Sequence, residues 1–293
     1  MRDLLTRPTN DFDRLDPVNL GPRTTFKIGG RARRFYTPRT VEELSLLMTR
    51  LADMGEKPFI LGGGANVLFP DGDYERPVIC TSALDELTVK GTRITAAAGV
   101  RLGKLIQKSL RLGLGGLEVF VGIPGTCGGA VNMNAGGRGW AFGERVTELG
   151  VLSPEGSVEI LKGSDVDWEY RTANLDGAIV LWVTVELGRA SPLNLRRRAG
   201  LFMRQKVATQ PLHAASAGCI FRNPPGYRAG ELIERIGLKG TASGGARISP
   251  CHANFIVNEG KATANDVKSL VRKVQNLVET QFGIQLETEV VLA

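Results

Sequence analysis

The chain has 293 residues, a formal net charge of +7, 42% hydrophobic residues and 23% charged residues, a composition ordinary for a soluble globular protein with room for two or three domains. No uninterrupted apolar run approaches the ~20 residues that span a bilayer, and residues 1–16 mix charges of both signs without an apolar core, so neither a membrane span nor a secretory signal is expected. Cys80, Cys127, Cys219 and Cys251 are widely spaced and form no CxxC pair, which excludes a zinc site or a disulfide framework and points to reduced thiols in a cytoplasm.

The basic surplus is scattered, and its densest runs (31–34 and 196–198) lack interleaved aromatics. An anionic small molecule is therefore the expected partner rather than a nucleic acid.

In chain order, residues 1–18 read as a poorly ordered lead-in. A glycine pair closes the stretch TTFKIGG (24–30). Thr40 and Glu43 form a capping-box pattern ahead of Leu44, Leu47, Met48 and Leu51, which predicts a helix over 41–54 stopped by Gly55. A strand over 59–61 leads into LGGGANVL (61–68), and 78–80 is a further strand. A strand over 94–98 and a helix over 102–112 follow, then the long glycine-rich stretch GIPGTCGGAVNMNAGG (122–137). Strands over 146–152 and 157–161 flank Pro154 and Gly156 as a hairpin, and 178–187 is a long apolar strand.

Ser191 and Pro192 open a basic helix to about residue 207. A shorter helix lies near 231–236, before a Gly/Ser loop over 240–245. The last helix carries Val267, Leu270, Val271, Val274, Leu277, Val278 and Phe282 on one face and ends at Gly283. A strand over 286–292 closes the chain. The pattern is α+β rather than a regular βαβ alternation, and neither glycine stretch has GxGxxG spacing, which argues against a dinucleotide-binding Rossmann domain.

Glycine tolerates positive φ and lets bare N–H groups approach a ligand, so two uncharged glycine loops suggest a large phosphate-bearing cofactor between them. The alternative is that both are tight structural turns. Cys219, in SAGCIFRNP (216–224), stands beside a glycine and ahead of Arg222 and Asn223, as a proton donor or nucleophile would beside an anion site. Taken alone it is a buried structural cysteine first. A cysteine-protease reading would need His213 or His252, with nothing else in support. Arg171 could clamp a carboxylate. Glu287 and Glu289 share one face of the closing strand and, taken alone, are solvated.

Together these stretches resemble the UDP-N-acetylenolpyruvoylglucosamine reductases. The resemblance runs from about residue 19 to 291. It is carried by TTFKIGG (24–30), LGGGAN (61–66), GIPGTCGGA (122–130) with NAG (134–136), Tyr170 with Arg171, SAGCIFRNP (216–224), GLKG (237–240), HANFIVN (252–258) and Glu289 with Val290. It implies a three-domain FAD-binding fold of the vanillyl-alcohol-oxidase (PCMH) type with a C-terminal substrate domain. Residues 1–85, with 286–293 returning to them, and 86–190 would bind FAD non-covalently. Residues 191–285 would bind the UDP-sugar. The chain between Arg171 and the third unit has no long insertion, which implies the shorter class lacking a substrate-covering tyrosine loop.

By the same resemblance Gly62, Gly63, Gly64, Ala65 and Asn66, together with Gly122, Ile123, Pro124, Gly125, Thr126, Gly128, Gly129 and Asn134, would contact FAD. Arg222 and Asn223 would lie near the substrate's diphosphate and uridine. NADPH would reduce the flavin, which then delivers hydride to C3 of UDP-N-acetylglucosamine enolpyruvate. Arg171 would stabilise the charge formed on C2 and the carboxylate, with a protonated Glu289 beside it. Cys219 would protonate C2 at a position where the family has serine, failing as pH rises past the thiol pKa, ordinarily ~8.5. Ala65 stands where the family has serine, a loss of one hydroxyl donor worth ~1–1.5 kcal/mol. Cys127 is expected to pack. The competing readings are an FAD-dependent oxidase of small alcohols or sugars and an inactive flavin-binding module. A monomer is expected.

Overall fold

The computed structural model describes residues 16–137 and 139–293. The lead-in expected over 1–18 lies almost wholly outside them, and its last residue already pairs in a short strand, Val18–Asn19 against Arg31–Ala32. Helix α1 (Val41–Asp53) begins where Thr40 Oγ1 accepts the N–H of Glu43, and Gly55 follows its end at φ +70°. The reciprocal half of the capping box slips by one residue: the Glu43 carboxylate accepts from the N–H of Arg39 at 2.7 Å. Strands Phe35–Tyr36, Val78–Cys80 and Phe59–Leu61 lie parallel, in that order across the sheet. The first glycine loop leaves the end of Phe59–Leu61.

A five-stranded antiparallel sheet forms the middle of the molecule. Its order is Val158–Lys162, Val146–Leu152, Ile179–Glu186, Arg93–Ala97, Leu87–Lys90. The strand Ile179–Glu186 is apolar almost throughout because both faces are covered. Ile179 and Leu181 turn toward α1 with Leu44, Leu47 and Leu51. Val180, Val183 and Val185 turn toward Leu105 and Ile106 of α2 (Leu102–Arg111) and toward Cys127 and Val131 of α3 (Cys127–Asn132). Cys127 is fully buried there and packs as an apolar residue. The central glycine stretch is thus partly helical, because the sheet offers α3 an apolar surface to lie on.

Helix α4 (Pro192–Thr209) leaves this sheet and leads to a third core. In that core α5 (Ala229–Arg235) and α6 (Ala264–Phe282) pack on the strands Ala246–Ile248 and Ile256–Asn258 through Leu232, Ile233, Val267, Leu270, Val271 and Val274. Leu277 of α6, expected on the buried face, is 39% exposed. The Gly/Ser loop over 240–245 contains a two-residue strand, Ala242–Ser243. The closing strand shrinks to Val291–Leu292, paired in parallel with Val67–Leu68. Residues ahead of it hold single bonds to the 220–222 segment instead of a ladder.

The first turn of α6 is capped from two directions. Thr263 and Asp266 form a reciprocal capping box. From the distant loop before residue 72, the Asp71 carboxylate accepts the N–H of Ala264 at 2.6 Å and of Asn265 at 3.2 Å. Removing it strands two helix donors and a favourable charge at the positive end of the helix. Asp71→Ala is expected to lower unfolding free energy by about 1–2 kcal/mol in a denaturant titration; a change under about 0.3 kcal/mol would show that water replaces the carboxylate without loss.

Candidate active site

The two glycine loops meet backbone to backbone. A Cβ on Gly63 would stand 2.6 Å from the Cα of Gly125, and one on Gly62 would stand 2.7 Å from Thr126 Oγ1. A Cβ on Gly64 would collide with the carbonyl of Arg23. These glycines are therefore required by loop-to-loop contact, whatever lies beside them. What they leave free is a set of donors. Among the described residues the backbone N–H groups of Gly63, Gly64, Ala65, Asn66, Gly125 and Thr126 have no hydrogen-bond partner. Converging amides of this kind suit a diphosphate, so these residues fit the phosphate-bearing cofactor that the loops suggested.

Both loops line a cleft of about 650 Å³, and Arg171, Cys219 and Glu289 line it as well. Arg171 is the second residue of a two-residue turn between the strands Asp167–Glu169 and Thr172–Asn174. It has φ +63°, where glycine would ordinarily stand. Surrounding bonds hold this strained conformation. Its Nη1–H donates to the carbonyl of Gly136 at 2.7 Å, and the guanidinium of Arg222 donates to its carbonyl at 3.4 Å. Arg171 Nε lies 2.9 Å from Glu289 Oε1 as an ion pair, yet its N–H is buried without a hydrogen-bond partner, so it does not point along that line. A guanidinium carries five N–H donors, so one that lines the cleft beside these partners can also take a second anion.

Glu289 is held from both sides: its N–H donates to the carbonyl of Ile220 at 2.7 Å, and its carbonyl accepts from Asn66. Burial pushes its carboxyl above the usual carboxylate range, against the pull of Arg171 and Arg222. Cys219 faces the same cleft. Burial, with the Glu289 charge adding to it and Arg171 opposing, pushes its thiol up to about 12. The thiol thus stays protonated across any working pH. This corrects the expectation that it would fail near an ordinary thiol pKa; burial, which sequence does not reveal, makes the difference. Asn254 fixes the thiol's segment by accepting from the N–H of Phe221 and donating to its carbonyl.

Two residues expected at the cofactor do not reach the cleft. The amide of Gly128 is spent on the carbonyl of Ala98. Asn134 is buried, donating to the carbonyl of Glu169 and accepting from the N–H of Gly143, so it holds the turn that presents Arg171. Gly62, Gly63, Gly64, Ala65, Asn66, Gly122, Ile123, Pro124, Gly125, Thr126 and Gly129 all line it. Arg222 lies outside it, in a neighbouring cavity of about 500 Å³ that shares the Arg171 and Glu289 wall. Asn223 is exposed and its Oδ1 accepts the first N–H of α5, the role of a helix cap.

Part of the cleft lining is not expected from the sequence. Phe202, Met203 and Lys206 of α4, with Gln210 and Leu212 after it, line the cleft beside Gly122. Their spacing continues Leu195 and Ala199 at helical period, a signal masked by the surrounding arginines. Buried Glu118 pins this helix, taking Arg198 at 3.0 Å and the N–H of Gly116 at 2.7 Å.

Comparison with known proteins identifies the family. Residues 210–293 match the family described as UDP-N-acetylenolpyruvoylglucosamine reductase, C-terminal domain, and residues 32–162 match an FAD binding domain. The UDP-N-acetylenolpyruvoylglucosamine reductase of Moorella thermoacetica is 40% identical over 272 residues, 92% of this chain and 90% of that protein. That of Geobacter metallireducens is 40% identical over 270 residues, 91% of this chain and 89% of that protein. The crystal structure of the Thermus caldophilus enzyme superimposes with a TM-score of 0.83 at 36% identity, covering 95% of this chain and 98% of that one. The architecture is accordingly the α+β FAD-binding fold of the vanillyl-alcohol-oxidase type, followed by the reductases' own C-terminal domain. With its cleft, its two glycine loops and this relatedness over nine-tenths of its length, the chain belongs to the UDP-N-acetylenolpyruvoylglucosamine reductase family, a family of FAD-binding oxidoreductases.

Proposed function

We propose that this protein reduces UDP-N-acetylglucosamine enolpyruvate to UDP-N-acetylmuramate for peptidoglycan synthesis, in the cytoplasm and as a monomer, with NADPH as the reductant. One observation supports this above the others: Arg171, Cys219 and Glu289, from three distant segments, line the same cleft as the two glycine loops. Residues 1–85 with 286–293, and 86–190, are proposed to hold FAD non-covalently through the free amides of the 62–66 and 122–129 loops. Residues 191–285 are proposed to receive the UDP-sugar, with Arg222 at its edge.

Bound there, FAD supplies the two-electron chemistry, drawn from NADPH and delivered to C3 of the enolpyruvyl group. The chain's own residues manage the charge and the proton. Negative charge grows on C2 and on the adjoining carboxylate. Arg171, a fixed cation lining the cleft, stabilises that charge more as it grows, which is what accelerates a reaction. Glu289, its carboxyl raised by burial, in its protonated form donates a hydrogen bond to the substrate carboxylate. Cys219, kept neutral, transfers its proton to C2 as general acid.

The direct test is spectroscopic. Purified yellow protein should bleach anaerobically with NADPH and recolour on addition of UDP-N-acetylglucosamine enolpyruvate. Bleaching by a small alcohol or sugar would make it an oxidase on the same fold. Flavin that responds to neither would make it an inactive binding module.

A further inference from the structure

Asn66 ends the first glycine loop and borders the cleft, where an amide side chain would ordinarily be assigned to the cofactor. Its bonds point elsewhere. Nδ2 lies 2.9 Å from the carbonyl oxygen of Glu289, and 3.4 Å from the sulfur of Met133. A backbone carbonyl only accepts, so the nitrogen of the amide, not its oxygen, must face Glu289. The main chain repeats the link: the N–H of Val291 donates to the carbonyl of Asn66 at 3.1 Å. On its other side the N–H of Glu289 donates to Ile220, next to Cys219. Thr25 ties the same loop to the thiol's segment, its N–H donating to the carbonyl of Gly64 and its hydroxyl to that of Ser216 at 2.7 Å.

We infer that the side chain of Asn66 positions Glu289 rather than binding the cofactor, which is left to the backbone amides of the loop. Its amide fixes the peptide of residue 289, and with it the direction in which that carboxyl meets Arg171 and the substrate. The loop whose amides face the cleft thereby also sets the catalytic carboxyl, so one element serves both halves of the site. This rests on the role proposed above for Glu289.

The experiment compares Asn66→Ala, the nearly isosteric Asn66→Asp and Glu289→Gln as purified holoenzymes. FAD affinity is read by fluorescence titration of the stripped protein, and the two half-reactions by anaerobic rapid mixing. A carboxylate at position 66 cannot donate to the Glu289 carbonyl, so both substitutions at this position should act alike on turnover even if the alanine variant folds poorly. Flavin reduction by NADPH should stay within about twofold. Reoxidation by the enolpyruvyl substrate should slow roughly 30- to 100-fold, the usual cost of misplacing a reacting group by an ångström. FAD affinity of Asn66→Ala should stay within about threefold, since no amide of the loop is lost. FAD binding weakened tenfold or more, with reoxidation unchanged in the saturated enzyme, would make Asn66 a cofactor ligand and overturn the inference; unchanged reoxidation with unchanged binding would overturn it equally. Full reoxidation in Glu289→Gln would instead remove the role of Glu289 itself.

Discussion

Arg171→Ala is expected to retain flavin that NADPH reduces at a normal rate, while reoxidation by the enolpyruvyl substrate falls roughly 10³-fold, the scale seen when a fixed donor to a developing anion is removed. The size of the loss follows from geometry. The guanidinium is largely buried, anchored through Nη1 to Gly136 and paired through Nε with Glu289, and lines the cleft. It therefore needs no reorganisation when charge appears. Alanine also leaves the buried Glu289 carboxyl without its nearest cation, raising it further and weakening any residual anion binding. Arg171→Lys separates charge from shape. An ammonium can approach Glu289 or Gly136 but cannot reproduce the planar fork, so a loss of about 10²-fold is expected despite the conserved charge. Rapid-mixing measurements at saturating substrate check both; reoxidation within tenfold of wild type in Arg171→Ala would remove Arg171 from the chemistry.

Cys219→Ala is the second large effect. Reoxidation should slow by roughly 10²- to 10⁴-fold, the range of a lost general acid, with NADPH-driven reduction unaffected. Cys219→Ser should recover much of the rate, since a hydroxyl can fill the same role. The pH dependence identifies the groups. The thiol, pushed up to about 12, is neutral near neutral pH and contributes no alkaline limb there. Glu289 is raised above the usual carboxylate range. If its protonated form is the active one, the reoxidation rate must fall as pH rises through that shifted value. The limb should persist in Cys219→Ser and vanish in Glu289→Gln. An alkaline limb that moves on Cys219→Ser would assign the titration to the sulfur instead.

How much of this was legible beforehand depends on the residue. The glycine loops, helix α6 and its Gly283 stop were readable because local chemistry alone produces them. The triad was readable only through resemblance, since a lone arginine, cysteine or glutamate carries no signal of its own. Asn134 and Gly128 show why motif membership is an imperfect guide. Both stand in the glycine-rich stretch, yet one holds the Arg171 turn and the other packs α3 against the sheet. The α4 wall was hidden because its cleft-facing positions are mixed among arginines, and only the partner surfaces reveal which face is inward. The strand expected over 286–292 is shorter in the structure: residues 287–290 serve as single tethers to the 220–222 segment, with ladder pairing left to Val291–Leu292.

Those tethers have a consequence for biosynthesis. Residues 286–292 come after all of α6 in the chain, and they deliver the carboxyl of Glu289 while stitching the 66–68 edge to the 220–222 segment. On the ribosome, the central sheet and its helices can condense long before this happens. A nascent polypeptide stalled short of residue 289 holds its central sheet yet lacks this carboxyl, so competence waits on the emergence of one short segment.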